Sequence, residues 1–285
     1  MPISHDHKCL FIHIPRTGGT AFRKFLGIDR DEVEIPASLE RINGKGLLSV
    51  CNRNPELPSN KVPRVVHKEH LCIKHIYQLS LVDSKIYSEY FKFAFVRNPW
   101  DRALSVYSNH YHIYCNDFQE FVNKIKVIAS FINDNFTFEL EEEFYVEYSK
   151  VVFNTLYNKD QDFPHRPWPG DEVIFDPQFI PQYLFTHNEY GDQLVDTIAS
   201  FENYAEDAAT ILERLGIDHP IEKIHASDHP LYRDVYTPEM VDIIADAYAK
   251  DIEMFGYEFY RGANHIKINN LNLTKEFGSN QWTIK

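Results

Sequence analysis

The chain has few cysteines, no long apolar run and no excess of positive charge. Its four cysteines, Cys9, Cys51, Cys72 and Cys115, form no C-x-x-C pair and no zinc-like spacing with histidine, so we interpret them as reduced structural residues. No apolar run approaches the roughly 20 residues of a membrane span. The N-terminal residues MPISHDHKC lack the apolar segment of a signal peptide, so the sequence predicts a cytoplasmic protein.

Acidic residues outnumber basic ones. The 285 residues include 29 Lys and Arg against 42 Asp and Glu, which gives a net charge of −13. This sign argues against non-specific binding to DNA, RNA or an anionic membrane, although it permits a local basic pocket for a phosphorylated small molecule. With 44% hydrophobic residues the chain can bury a substantial core. We predict a single domain over residues 1–262, followed by a polar tail over 263–285.

Short apolar runs alternate with amphipathic helix patterns, which predicts an α/β fold with a central, mostly parallel sheet flanked by helices. Residues 194–202 are ambiguous between strand and helix, and residues 112–182 are predicted to be the least regular part. The predicted strands are 9–14, 64–67 and 91–96. The predicted helices follow Gly19, cover 71–81, begin near Trp100, cover 203–215, and run from Thr237 to Gly256.

The segment KCLFIHIPRTGGTAF, residues 8–22, is typical of a buried strand, a tight glycine turn and the start of a helix. Such a turn directs backbone N–H groups at an anion. Against the pattern G-x-x-x-x-G-K-[ST], Gly18 matches the second glycine, Gly19 replaces the lysine, and Thr20 matches the hydroxyl. The basic side chain is instead Arg16, on the near side of the turn. The turn is therefore better suited to a 5′-phosphate than to a magnesium-bound triphosphate.

A second motif, FKFAFVRNPWDRALSVY, places Arg97 at the end of a predicted strand and Ser105 in the following helix. A planar guanidinium with a hydroxyl suits a second phosphate. A structural ion pair between Arg97 and Asp101 is the alternative interpretation, and Ser105 by itself could be an ordinary helix residue. The carboxyl ends of parallel strands meet at one edge of a sheet, so Arg16 and Arg97 are expected to be neighbours.

The two motifs together resemble sulfotransferase family 2, which includes carbohydrate sulfotransferases. The resemblance continues through FIPQYLF (179–185), residues 196–217 and residues 236–259, and so covers most of 8–260. It implies a P-loop NTPase-like three-layer fold and the donor 3′-phosphoadenosine 5′-phosphosulfate (PAPS), with no metal. The implied acceptor is a hydroxyl of a carbohydrate, in a glycan or glycolipid.

The resemblance also implies roles for individual residues. Arg97 and Ser105 would hold the 3′-phosphate of PAPS. Many family members have lysine where this chain has Arg16, and Ala226 stands where the family often has asparagine. The residues implied for the 5′-phosphosulfate are Arg16, Thr17, Gly18, Gly19, Thr20 and Ala21.

Sulfuryl transfer needs a base for the acceptor hydroxyl and positive charge for the departing phosphate. The segment RVVHKEHLCIKHIY offers His67, Glu69 and His70. In related bacterial sequences a histidine opens a helix after the second strand, and His70 matches it best. We therefore predict His70 as the base, with His67 as the second candidate.

Two other functions stay open at this point. A P-loop nucleotide kinase or NTPase is disfavoured because position 19 is glycine and no clear magnesium-binding carboxylate follows a strand. An inactive module that binds PAPS or a glycan is favoured only by Arg16 and Ala226, the two departures from the family pattern.

Overall fold

The computed structural model describes residues 3–28, 70–78, 82–138, 142–156, 176–219 and 230–260, together with the strand residues 273–274 and 283–284. Its strands are β1 Ile3–Ser4, β2 Cys9–Ile12, β3 Phe91–Val96, β4 Thr197–Ser200, β5 Leu273–Thr274 and β6 Thr283–Ile284. Its helices are α1 Gly19–Phe25, α2 Ile73–Gln78, α3 Ser84–Glu89, α4 Pro99–Val106, α5 Phe118–Asn135, α6 Glu142–Leu156, α7 Tyr183–Thr186, α8 Tyr204–Arg214, α9 Pro238–Ala247 and α10 Ala249–Phe255. A π-helical turn covers Tyr107–Tyr111, and 3₁₀ turns cover Pro177–Phe179 and Tyr232–Asp234.

Four of the described strands form one sheet in the order β1-β2-β3-β4. β2, β3 and β4 are parallel, and β1 runs antiparallel to β2. The predicted α/β fold with a mostly parallel sheet is therefore confirmed. The predicted strand 64–67 lies outside the described residues, and β5 and β6 pair with each other within the segment predicted as a tail.

Successive side chains of each central strand point to opposite faces of the sheet, where they pack in two apolar clusters. Leu10 and Ile12 enter the larger cluster with α4, α5 and α9, whereas Phe11 enters the smaller one with α1 and α8. β3 alternates in the same way, with Ala94 and Val96 in the larger cluster and its phenylalanines in the smaller. Burial on both faces explains why these strands are almost entirely apolar.

The strand-to-helix junctions follow the predicted local signals. α1 begins at Gly19, and Gly27 follows its end with φ of +63°. α4 is capped by the Asn98 side chain, which accepts the N–H groups of Trp100 and Asp101, and Pro99 occupies its first turn. The ambiguous segment 194–202 contains β4.

The segment 112–182 is predicted to be the least regular part, but its described residues contain the two long helices α5 and α6. α5 is rich in valine, isoleucine and phenylalanine, which favour helix only weakly, so burial of one face stabilises it. The Asp117 side chain caps α5 by accepting the Glu120 N–H at 2.8 Å. Its buried residues recur at helical spacing and are Phe118, Phe121, Val122, Ile125, Ile128, Ala129 and Ile132.

The predicted last helix is interrupted. Tyr248, with φ of −123° and ψ of 32°, separates α9 from α10. The predicted cap Thr237 and the left-handed terminator Gly256 are both confirmed. Among the helices in the described parts of the chain, none combines the length and hydropathy that a bilayer crossing requires.

Candidate active site

The glycine turn between β2 and α1 depends on left-handed backbone conformations. Gly18 has φ of +81° and Arg16 has φ of +67°, which is uncommon for a residue with a side chain. The buried Thr17 hydroxyl donates to the Ile14 carbonyl at 2.9 Å, so this side chain holds the turn together. Strain of this kind is most often retained where function requires it.

Gly19 leaves no room for a side chain. A Cβ at this position would lie 2.6 Å from His13 Nε2 and 2.8 Å from Phe11 Cζ. The His13 ring also contacts the His70 ring, with centroids 4.5 Å apart. The turn, His13 and His70 therefore pack in succession at the carboxyl end of β2.

Arg97 follows β3 and reaches the same turn, as predicted. Its Nη1 donates to the Arg16 carbonyl at 3.1 Å, and its guanidinium carbon lies 4.2 Å from the centre of the Phe201 ring. Its Nε donates to Asp101 Oδ2 at 2.8 Å, so the ion pair considered from the sequence is present. A guanidinium has five N–H groups, and these two hydrogen bonds use one on Nε and one on Nη1.

The Arg16 side chain joins the two motifs directly. Its Nε and Nη2 donate to Ser105 Oγ at 3.1 and 2.9 Å. Burial, reinforced by the charge of Arg97, lowers the pKa of Arg16 to about 10. Among the described residues no carboxylate lies within 4 Å of this guanidinium. Two neighbouring cations at the end of a parallel sheet make a site that an anion would stabilise.

His70, half-buried just before α2, is tied to the same edge of the sheet. Its Nδ1 lies 2.7 Å from the His13 carbonyl oxygen. Because a carbonyl can only accept, Nδ1 carries the proton, and in the neutral imidazole Nε2 is then the basic nitrogen. Of the other candidates, His67 and Glu69 lie outside the described residues, as does Ala226.

Comparison with known proteins shows the family of the chain. A model of the sulfotransferase family matches residues 1–258, which is most of the chain. The chain belongs to the sulfotransferase family. No curated protein and no solved structure was found to match it. The predicted resemblance is therefore confirmed. Membership supports sulfotransfer as the general activity of the chain. The family generally uses PAPS as the sulfate donor.

The other residues that we predicted to hold the phosphosulfate differ in exposure and in contacts. Thr20 is exposed in the first turn of α1, whereas Ala21 is buried against the core. Gly18 forms the cap of α1, and its carbonyl accepts the Tyr204 hydroxyl at 3.2 Å. The turn is therefore fixed from α8 as well as from its own residues.

Several groups that shape the site were missed from the sequence. Arg102 is buried and donates to the carbonyls of Pro15 and Gln178 at 3.1 and 3.0 Å, which fixes the backbone just before Arg16. Arg102 lies five residues after Arg97 on the helix that contains Ser105, and this position could have indicated that it lies near the site. Gln182 stands in the segment FIPQYLF, but nothing local indicated that it contacts Arg97.

Proposed function

We propose that this sulfotransferase transfers the sulfuryl group of PAPS to a hydroxyl of a carbohydrate, in the cytoplasm, within a single domain over residues 1–262. The observation that carries the proposal is the arrangement of Arg16, Arg97 and Ser105 at one edge of the sheet. A P-loop-like three-layer fold is part of the same proposal, and the apolar clusters on the two faces of the sheet support it.

The residues present fit the two phosphate groups of such a donor. Arg16 is a half-buried cation whose pKa is lowered by burial and by Arg97, and a bound anion would oppose both effects because it favours the charged form. Arg16 and the backbone amides of residues 17–20 would hold the 5′-phosphosulfate. Arg97 and Ser105 would hold the 3′-phosphate, with a planar guanidinium suited to two phosphate oxygens.

PAPS supplies an activated sulfuryl group, whose bond to the 5′-phosphate oxygen breaks as the acceptor oxygen bonds to sulfur. His70 accepts the acceptor proton on Nε2, while its Nδ1–H donates to the His13 carbonyl and orients the ring. Arg16 stabilises the charge that develops on the departing phosphate. Guanidinium and N–H groups of the chain, rather than a metal ion, are proposed to supply this stabilisation.

The proposal of a carbohydrate acceptor is based on the family resemblance and on the net charge of the chain. A chain with a net charge of −13 is better matched to a neutral or lightly charged sugar than to a highly sulfated polyanion. A glycan or a glycolipid headgroup would satisfy this description.

The direct test is transfer of labelled sulfate from PAPS to a panel of glycans and small alcohols, followed by mapping of the product. Transfer by the wild-type chain and its loss in the Arg97→Ala variant are expected. Magnesium-dependent ATP turnover by the pure protein would instead favour a kinase or NTPase. Tight PAPS binding without transfer to any acceptor would favour an inactive binding module.

A further inference from the structure

The Gln182 side chain pairs with the backbone of Arg97 at two points. The Arg97 N–H donates to Gln182 Oε1 at 2.8 Å, and Gln182 Nε2 donates to the Arg97 carbonyl at 2.8 Å. β3 ends one residue earlier, where the Val96 carbonyl accepts the Phe201 N–H. A side-chain amide thus pairs with the backbone where the parallel ladder ends. Gln182 is completely buried, so its loss would leave two buried backbone groups without these partners.

Asp251 holds Gln182 in place from α10. Its Oδ2 accepts the Gln182 backbone N–H at 2.8 Å and Gln182 Nε2 at 3.4 Å, and its Oδ1 accepts the Tyr183 N–H at 2.8 Å. Asp251 is also completely buried, and burial raises the pKa of its carboxyl, whereas the two backbone N–H bonds and the charge of the nearby Arg102 oppose that rise. The carboxylate therefore fixes both the backbone and the side chain of Gln182.

These contacts connect α10 to the proposed donor site. The direction of the Arg97 side chain depends on the backbone that Gln182 fixes, and that side chain bridges the Arg16 carbonyl and Asp101. We propose that Gln182 and Asp251 are positioning residues that set Arg97 for the 3′-phosphate of the donor. This inference rests on the proposed function.

The test compares adenosine 3′,5′-bisphosphate with adenosine 5′-monophosphate, which lacks the 3′-phosphate, by calorimetric titration of the full chain. The ratio of the two affinities isolates the 3′-phosphate contribution. We expect the isosteric Gln182→Met variant to reduce this ratio by about tenfold, the effect of two weak hydrogen bonds or one strong one. With PAPS as substrate, KM should rise while kcat at saturation changes little, because the reacting groups remain.

Leu184→Ala is the matched control, since Leu184 is buried on the same short helix α7 and packs in the apolar core. It should lower the melting temperature without changing the ratio. A Gln182→Met ratio within twofold of wild type would overturn the inference. If that variant does not fold, Asp251→Asn decides by the same criterion, with a reduction of at least threefold expected. A wild-type chain without preference for the 3′-phosphorylated nucleotide would contradict the proposed donor site itself.

Discussion

Arg16 and Ser105, 89 residues apart in sequence, are joined by two hydrogen bonds from one guanidinium to one hydroxyl. Arg16 lies in the turn after β2, and Ser105 lies in the helix after β3. The contact therefore connects the two segments that we propose to bind the 5′-phosphosulfate and the 3′-phosphate of the donor.

Replacement of Ser105 by alanine removes one proposed phosphate contact. Hydrogen bonds to charged groups contribute about 1.5 kcal/mol or more, so the affinity for adenosine 3′,5′-bisphosphate should fall about tenfold. Calorimetric titration measures this change. Ser88→Ala on α3, whose exposed hydroxyl donates to the Lys85 carbonyl, is the control and should leave affinity unchanged. Equal affinities for the wild type and Ser105→Ala would show that Ser105 does not contact the 3′-phosphate.

Arg97→Ala should lower the affinity for adenosine 3′,5′-bisphosphate by about 30-fold or more. The reason is that removal of one charged partner of a buried pair costs about 2 kcal/mol or more. Affinity for adenosine 5′-monophosphate should change much less. Arg214→Ala is the control, because Arg214 also stacks on a ring, 4.5 Å from Phe91, at the opposite end of β3. If Arg97 served only its ion pair with Asp101, the variant would lower the melting temperature and leave the ratio of affinities unchanged.

The sequence predicted those parts of the site that depend on local pattern. The β2 turn and the β3–α4 junction each combine an apolar strand, a backbone signal such as Gly18 or Asn98, and a polar residue in fixed order. Parallel pairing then places Arg16 and Arg97 at one edge, which the geometry bears out.

The missed features depend on contacts between distant segments. Gln182 and Asp251 are 69 residues apart, and neither has a local pattern that reveals the other. The same applies to α5, whose residues favour helix weakly until its apolar face is buried. Hydrophobic periodicity also does not predict the interruption at Tyr248, because apolar residues continue at helical spacing through it.

Gly19→Ala should destabilise the fold strongly. The new Cβ would overlap His13 and Phe11, which are both buried, and overpacking of this kind costs about 2–3 kcal/mol. Gly27→Ala is the control, since it meets no atom within 4 Å and carries only the cost of a left-handed conformation, about 1 kcal/mol. Equilibrium unfolding in urea compares the two. Equal losses would mean that the turn can shift to accept a methyl group.

His70→Asn should separate catalysis from donor binding. Removal of a positioned base lowers the rate by about 10²–10⁴-fold, whereas His70 has no proposed contact with either phosphate, so nucleotide affinity should be unchanged. Single-turnover transfer from labelled PAPS measures the rate, and calorimetry measures the affinity. His5→Asn is the control, because His5 bonds to the Tyr90 hydroxyl at the opposite end of the sheet. A large loss of rate in His67→Asn, with His70→Asn active, would assign the base to His67.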